Sequence, residues 1–211
     1  MRPKNRIFQA SRIAATCTIA LLLSTLRATP IPQTQPGTAE THDLVLLLDP
    51  QQCRVHFAVD TSLHAVHGTF NLKSGTVHFN PENGKAGGEI TVLASSGDSG
   101  NTSRDARMHK EILETGKFPD AVFRPLQVEG KVARAGPSDV KLRGIILLHG
   151  QEHEIAVQVH AELVAERWTG TAKFDVPYVQ WGIKDPSNWL LKVKPVVNVE
   201  LDMAGRANAA N

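Results

Sequence analysis

Cysteine is nearly absent from this chain, whose 211 residues include only Cys17 and Cys53. Cys17 falls inside an N-terminal segment that reads as a removable leader, so Cys53 would stand alone in the mature chain. No intramolecular disulfide can then form, even in a compartment that permits one. Acidic residues are missing from the first twelve positions, where Arg2, Lys4, Arg6 and Arg12 stand without a counter-charge. The apolar run behind them, Ile13 to Leu26, has fourteen residues, fewer than the roughly 20 that a membrane-spanning helix needs. There is no internal repeat. Cys17, preceded by Ala14, Ala15 and Thr16, is a poor lipoprotein cysteine.

What is present at the N-terminus is therefore a basic stretch followed by a short apolar stretch, the pattern of a secretory signal peptide over residues 1–28. Five of the 23 basic residues and none of the 21 acidic ones lie in it, which leaves 18 against 21 and a net charge of −3. The basic balance of the whole chain belongs to the leader and gives no support to a nucleic-acid partner, which needs a basic stripe in the folded part; none is expected. Residues 29–41, with Pro30, Pro32 and Pro36 among uncharged neighbours, form a proline-rich disordered linker. The folded domain is expected over residues 42–205 and a polar tail over 206–211. That length suffices for one self-supporting core. A periplasmic or secreted protein follows.

Within the domain, apolar residues alternate with polar ones at period two, the mark of strands with one dry face. Val55, Phe57 and Val59 share a face. So do Val66, Gly68, Phe70 and Leu72, then Val77 and Phe79, then Ile90, Val92 and Ala94. Pro81, Glu82, Asn83 and Gly84 supply a turn. Further strands are expected over 121–124, 126–132, 140–148, 155–163, 168–176 and 193–203. One helix interrupts them, near residues 104–115, entered through Thr102 and Asp105 in the manner of a capping box, with Gly116 placed as its left-handed C-terminal cap. About eight antiparallel strands must close or expose their edges, and a closed barrel of that size is either filled by side chains or holds one small ligand.

Three constellations invite chemistry. Gly97, Asp98, Ser99 and Gly100 imitate the nucleophile loop of trypsin-like proteases, but no base and orienting acid converge on Ser99 in the sequence, and a polar turn is the better reading. Nine histidines are present; His56, His64 and His67 could approach across one hairpin, while His149 and His153 flank a Gly150 turn. Without cysteine partners they make a poor zinc set. Trp168, Trp181 and Trp189 offer apolar area with a polar handle, and Trp181, beside Gly182, is the best candidate for a pocket wall.

The order and spacing of Val66, His67, Gly68, Thr69, Phe70, then Ser103, Arg104, Asp105 with Met108, then Phe118, Pro119 and Phe123 resembles the YceI-like lipid or polyisoprenoid-binding family. Leu142, Arg143, Gly144 before His149, Gly150 and His153, then Trp181, Gly182 and Ile183, continue the resemblance, which covers about Asp49 to Ala204. It implies an all-β, extended lipocalin-like antiparallel barrel whose apolar pore holds a long isoprenoid chain. At Gln180, Trp181 and Gly182 the sequence departs from members that carry an Arg and a Phe-Gly pair, so no contact to a ligand head group carries over.

The resulting expectation is an exported carrier of an isoprenoid or other long-chain lipid, with no catalytic residues, no metal and no cofactor. By alternation, the inward set is Phe57, Phe70, Phe79, Ile90, Val92, Ile146, Val157 and Trp181, with Ile112 and Phe118 near one mouth. A homodimer is compatible with it. Two alternatives remain open: a metal-dependent enzyme built on a histidine cluster, and a packed-barrel stress or interaction protein.

Overall fold

Nine strands follow from the alternating segments in the computed structural model, which describes residues 43–133 and 135–209. The predicted leader and the linker, residues 1–41, lie outside the described residues. The strands are β1 Leu44–Leu48, β2 Arg54–Asp60, β3 Ala65–Phe79, β4 Ala86–Asp98, β5 Asp120–Glu129, β6 Gly136–Leu148, β7 Gln151–Val164, β8 Arg167–Val176 and β9 Val197–Ala209. All pairings are antiparallel, in the order β1-β3-β2-β9-β8-β7-β6-β5-β4, with β3 also paired to β4. That last pairing closes the sheet.

The barrel has eight staves although it has nine strands. β1 and β2 both lie between β3 and β9: Leu44–Leu47 face Thr76–Phe79 and Leu44–Leu48 face Gly205–Ala209, while Val55–Asp60 face Ala65–Phe70 and Arg54–Ala58 face Asn198–Asp202. Together they form one stave broken by the turn at Asp49–Cys53. Full closure removes the sheet edges that would otherwise invite association.

Two sequence expectations change here. Residues 206–209 are the end of β9 and not a tail, because β1 gives them a partner, and Ala207 is buried. The apolar run of β1 has no alternation to announce it as a strand. The helix is shorter and of two kinds: α1 Thr102–Arg107 passes into a π-helical turn, Met108–Ile112. Asn101, one residue earlier than expected, is the N-cap, its side chain accepting from Arg104 N at 3.0 Å. The left-handed residue at the exit is Glu114 (φ 45°), with Gly116 not in that region.

Glycines let large rings lie on neighbouring strands. A Cβ at Gly68 would overlap the ring of Phe57, one at Gly144 the ring of Phe123, and one at Gly205 the carbonyl of Leu47 and the indole of Trp168. Each ring covers a bare stretch of backbone, a device that pins strand register. His149 (φ 51°) and Gly150 (φ 77°) form the two-residue connection of β6 and β7, both in the left-handed region as a type I′ hairpin turn requires.

The lower half of the barrel is solid. Leu48, Cys53, Leu72, Val77, Trp168 and Ala207 pack together there, all buried, and Ile90, Val157, Ala172 and Met203 cap that cluster from above. Cys53 is a free thiol in this core, in contact with Ala204 backbone. Burial pushes its pKa up.

Candidate functional site

The upper half is hollow. A cavity of about 360 Å³ starts on Ile90, Val157, Ala172 and Met203 and runs to the end of the barrel where α1 lies. Its size falls within the range of small-molecule pockets, about 300–1,000 Å³. The wall comes from alternate residues of the staves: Val55, Phe57 and Val59 of β2, Val66 and Phe70 of β3, Val92 and Ala94 of β4, Ile155 and Val159 of β7, Phe174 and Val176 of β8, Val197, Val199 and Leu201 of β9. Valine dominates this wall. Its short branched side chain suits a strand yet does not reach the barrel axis, and the centre stays open.

Polar groups on the lining are confined to one end. Thr61, Ser99, Arg104, Arg107 and Tyr178 are the polar residues among those that line the cavity. Thr61 follows the end of β2, Ser99 follows β4, the arginines lie on α1, and Tyr178 follows β8. An apolar floor and wall with a polar mouth is the arrangement that takes in the tail of an amphiphile and leaves its head near water.

The helical segment lies across that mouth and is tied down on three sides. Ser99 binds Asp105 through its hydroxyl and its N–H, and Arg104 Nε and Nη2 donate to Ser99 Oγ and O at 2.7 Å each. These bonds hold the Asp105 carboxyl below its usual pKa, the Ser99 hydroxyl contributing most. His109 Nε2 lies 2.9 Å from Gly97 O. Towards β6–β7, Glu114 Oε2 meets His149 Nε2 at 3.1 Å, and Phe118 packs on the His149 ring with centroids 4.5 Å apart. Towards the β8–β9 loop, Lys184 Nζ reaches Glu111 at 3.4 Å and Arg107 Nη2 donates to Pro186 O at 3.4 Å. Met108, Ile112 and Leu113 face down from this cap into the cavity.

Seven of the residues predicted from the sequence converge on the cavity: Phe57, Phe70, Ile90, Val92, Ile112, Ile146 and Val157. Three do not. Phe79 points inward but below the floor, beside β1 and a polar recess at Asn80–Gly84. Phe118 sits outside, against His149 and Gly150. Trp181 is stacked on His153, centroids 4.2 Å apart and planes 4° apart, on the outer side of the apolar cluster of Val176, Tyr178 and Ile183. The reason is local: β8 ends at Val176, and a tight turn with Trp181 N bonded to Pro177 O and Ile183 N to Tyr178 O replaces the alternation. That turn sends Tyr178 and Ile183 inward and Trp181 out. Arg104, Tyr178, Val159 of β7 and the valines of β9 are what the sequence reading missed on the lining.

The histidines are spread apart. His56 pairs with Asp202 at 3.4 Å, His160 with Asp139 at 2.8 Å, and His149 with Glu114. Among the described residues no three His, Cys, Asp or Glu side chains are grouped to hold a metal ion. Ser99 has no histidine on its hydroxyl; Arg104 and Asp105 occupy it.

The family model for the YceI-like domain matches residues 47–204. The chain belongs to the YceI-like family. Solved structures share the fold at low identity. BcnA of Burkholderia cenocepacia superposes with a TM-score of 0.60 at 14% identity, covering 75% of this chain and 99% of that one. A polyisoprenoid binding domain from Saccharophagus degradans, implicated in plant cell wall breakdown, gives 0.56 at 14%, covering 77% and 98%. The YceI protein of Campylobacter jejuni gives 0.54 at 16%, covering 65% and 83%. No curated protein matches the chain.

Proposed function

We propose that this YceI-like barrel is an exported, non-catalytic carrier that holds the tail of an isoprenoid or similar long-chain lipid. The observation that carries the reading is the cavity itself: apolar through its depth, polar only at its mouth, and capped by a helix. Burying hydrocarbon is favourable by about 0.8 kcal/mol per CH₂ before ordering costs, so a dry wall supplies affinity with no chemistry. The polyisoprenoid-binding neighbour from Saccharophagus degradans points the same way. Export rests on the basic and apolar N-terminal segments and the proline-rich tether.

Solvent extraction of protein purified from its native host, followed by mass spectrometry, tests the ligand, and N-terminal sequencing of the same sample tests export. A polyisoprenoid recovered from a chain that begins between about Ser24 and Ala39 is the expected result. Recovery of intact Met1–Asn211 in the membrane pellet would defeat the export reading, and a chain without extractable lipid that takes up no added isoprenoid would defeat the carrier reading.

A further inference from the structure

The connection between β8 and β9 treats its apolar residues in two ways. Pro186, Leu191 and Val193 line the mouth of the cavity, whereas Trp189 and Leu190, between them in the sequence, are 89% and 69% exposed. Hydrogen bonds hold them out. Asn188 N donates to Leu191 O at 2.8 Å, and Asn188 Oδ1 accepts from the N–H groups of Leu190 and Leu191 at 2.9 and 2.8 Å. Leu63, 73% exposed, belongs to the neighbouring turn, which is tied to this loop by Ser62 N donating to Lys192 O, Lys192 N donating to Ser62 Oγ, and a bridge between Thr61 and Val193. Single exposed apolar residues are ordinary, but several gathered at the rim of an apolar cavity mark an interaction surface.

The charges beside this tip give the partner's chemistry. Residues 184–194 contain Lys184, Lys192 and Lys194 against Asp185 alone. Lys194 pairs with Asp60 at 2.7 Å and Lys184 with Glu111, which Arg107 also meets; Lys184, Lys192, Lys194 and Arg107 against Asp60, Glu111 and Asp185 leave the tip a net charge of +1. Tryptophan and leucine flanked by lysines suit the headgroup boundary of a membrane, where the aromatic ring is stable and cations meet anionic lipid. A two-fold dimer through the same tip would bring the lysines of both copies together.

We propose that the tip formed by Trp189, Leu190 and Leu63 docks the cavity mouth onto an anionic phospholipid bilayer. This rests on the carrier reading: with the tip inserted, the mouth opens where acyl chains begin, and a lipid tail passes between bilayer and cavity without crossing water.

The test uses the full chain and vesicles of phosphatidylglycerol and phosphatidylcholine with brominated acyl chains. Tryptophan emission should shift to the blue and be quenched by bromine, and the quenching should vanish in Trp189→Phe, since Trp168 is buried and Trp181 is stacked. The pair Trp189→Ser with Leu190→Ser should weaken vesicle binding about tenfold or more, while isoprenoid taken up in detergent is unchanged. Absence of bromine quenching, equal quenching on phosphatidylcholine alone, or a dimer in sedimentation velocity that the Ser pair dissolves would overturn the docking proposal. Intact quenching from a protein that holds no isoprenoid would sustain docking and sink the carrier reading instead.

Discussion

At the lower end of the barrel the interior is occupied by Trp168, Leu72, Val77 and Leu48, exposed by only 5, 5, 6 and 8%. At the upper end the same sheet presents Val59, Val66, Val197 and Val199 to an open cavity. Both ends obey one alternation and one hydrogen-bonded ladder. What differs is the filling of the axis: below, the Trp168 indole packs with Leu48, Leu72 and Val77, and above, a ring of valines and of Phe57, Phe70, Phe123 and Phe174 leaves the centre open. A strand pattern therefore fixes which way a residue points, and does not by itself fix whether the space it points into is filled. In this barrel the filled end supplies the packed core and the unfilled end is the candidate site.

The sharpest contrast comes from truncation in the filled end. Trp168→Ala should lower stability by about 3–5 kcal/mol in a denaturant titration, the cost of emptying a well-packed site. Enlarging side chains inverts the contrast. Val77→Phe, in the core, should cost about 1–3 kcal/mol through overpacking, whereas Val66→Phe, which faces the open cavity, should cost little, its effect appearing as lost isoprenoid capacity. Equal destabilisation by the two substitutions would show that the upper end is packed as well.

Much of this division could be read in the sequence, though not all. The faces of β2, β3 and β4 followed directly from alternation, and seven of ten proposed lining residues lie on the cavity. Alternation carries no information past a strand end, and Trp181 lies past one: the turn after Val176 reverses direction and leaves the indole on His153, off the cavity. Phe79 points inward but lies below the floor, and depth along a barrel depends on the stagger of the staves, including two register shifts between β3 and β4 that no local pattern reveals. β1 escaped notice because five apolar residues in a row have no periodicity. Gly68 and Gly144, quoted for the family resemblance, have a physical role at Phe57 and Phe123.

A smaller effect probes the junction of the mouth with its surrounding apolar cluster. Tyr178 is the single tyrosine of the chain, and burial, helped by the charge of Asp185, pushes its pKa up to about 12. Phenolate absorbance in the folded protein should therefore rise near pH 12 and not near 10. Because the folded state favours the neutral phenol, this contribution to stability is complete below pH 10 and is lost as the pH climbs from 10 to 12. An ordinary titration near pH 10 would mean that the ring is solvated. The smallest effect belongs to Trp181→Leu, which removes the stack on His153 and should leave the amount of extractable isoprenoid as in wild type.

Native mass spectrometry of the protein with a single added polyprenol tests most directly whether the unfilled end is the binding site. The account predicts one polyprenol per wild-type chain, bound equally by Trp181→Leu and excluded by Val66→Phe combined with Val199→Phe, a pair that fills the cavity while the barrel remains folded. A polyprenol retained at full occupancy by that folded double variant would contradict it, since the lipid would then be held somewhere other than the cavity.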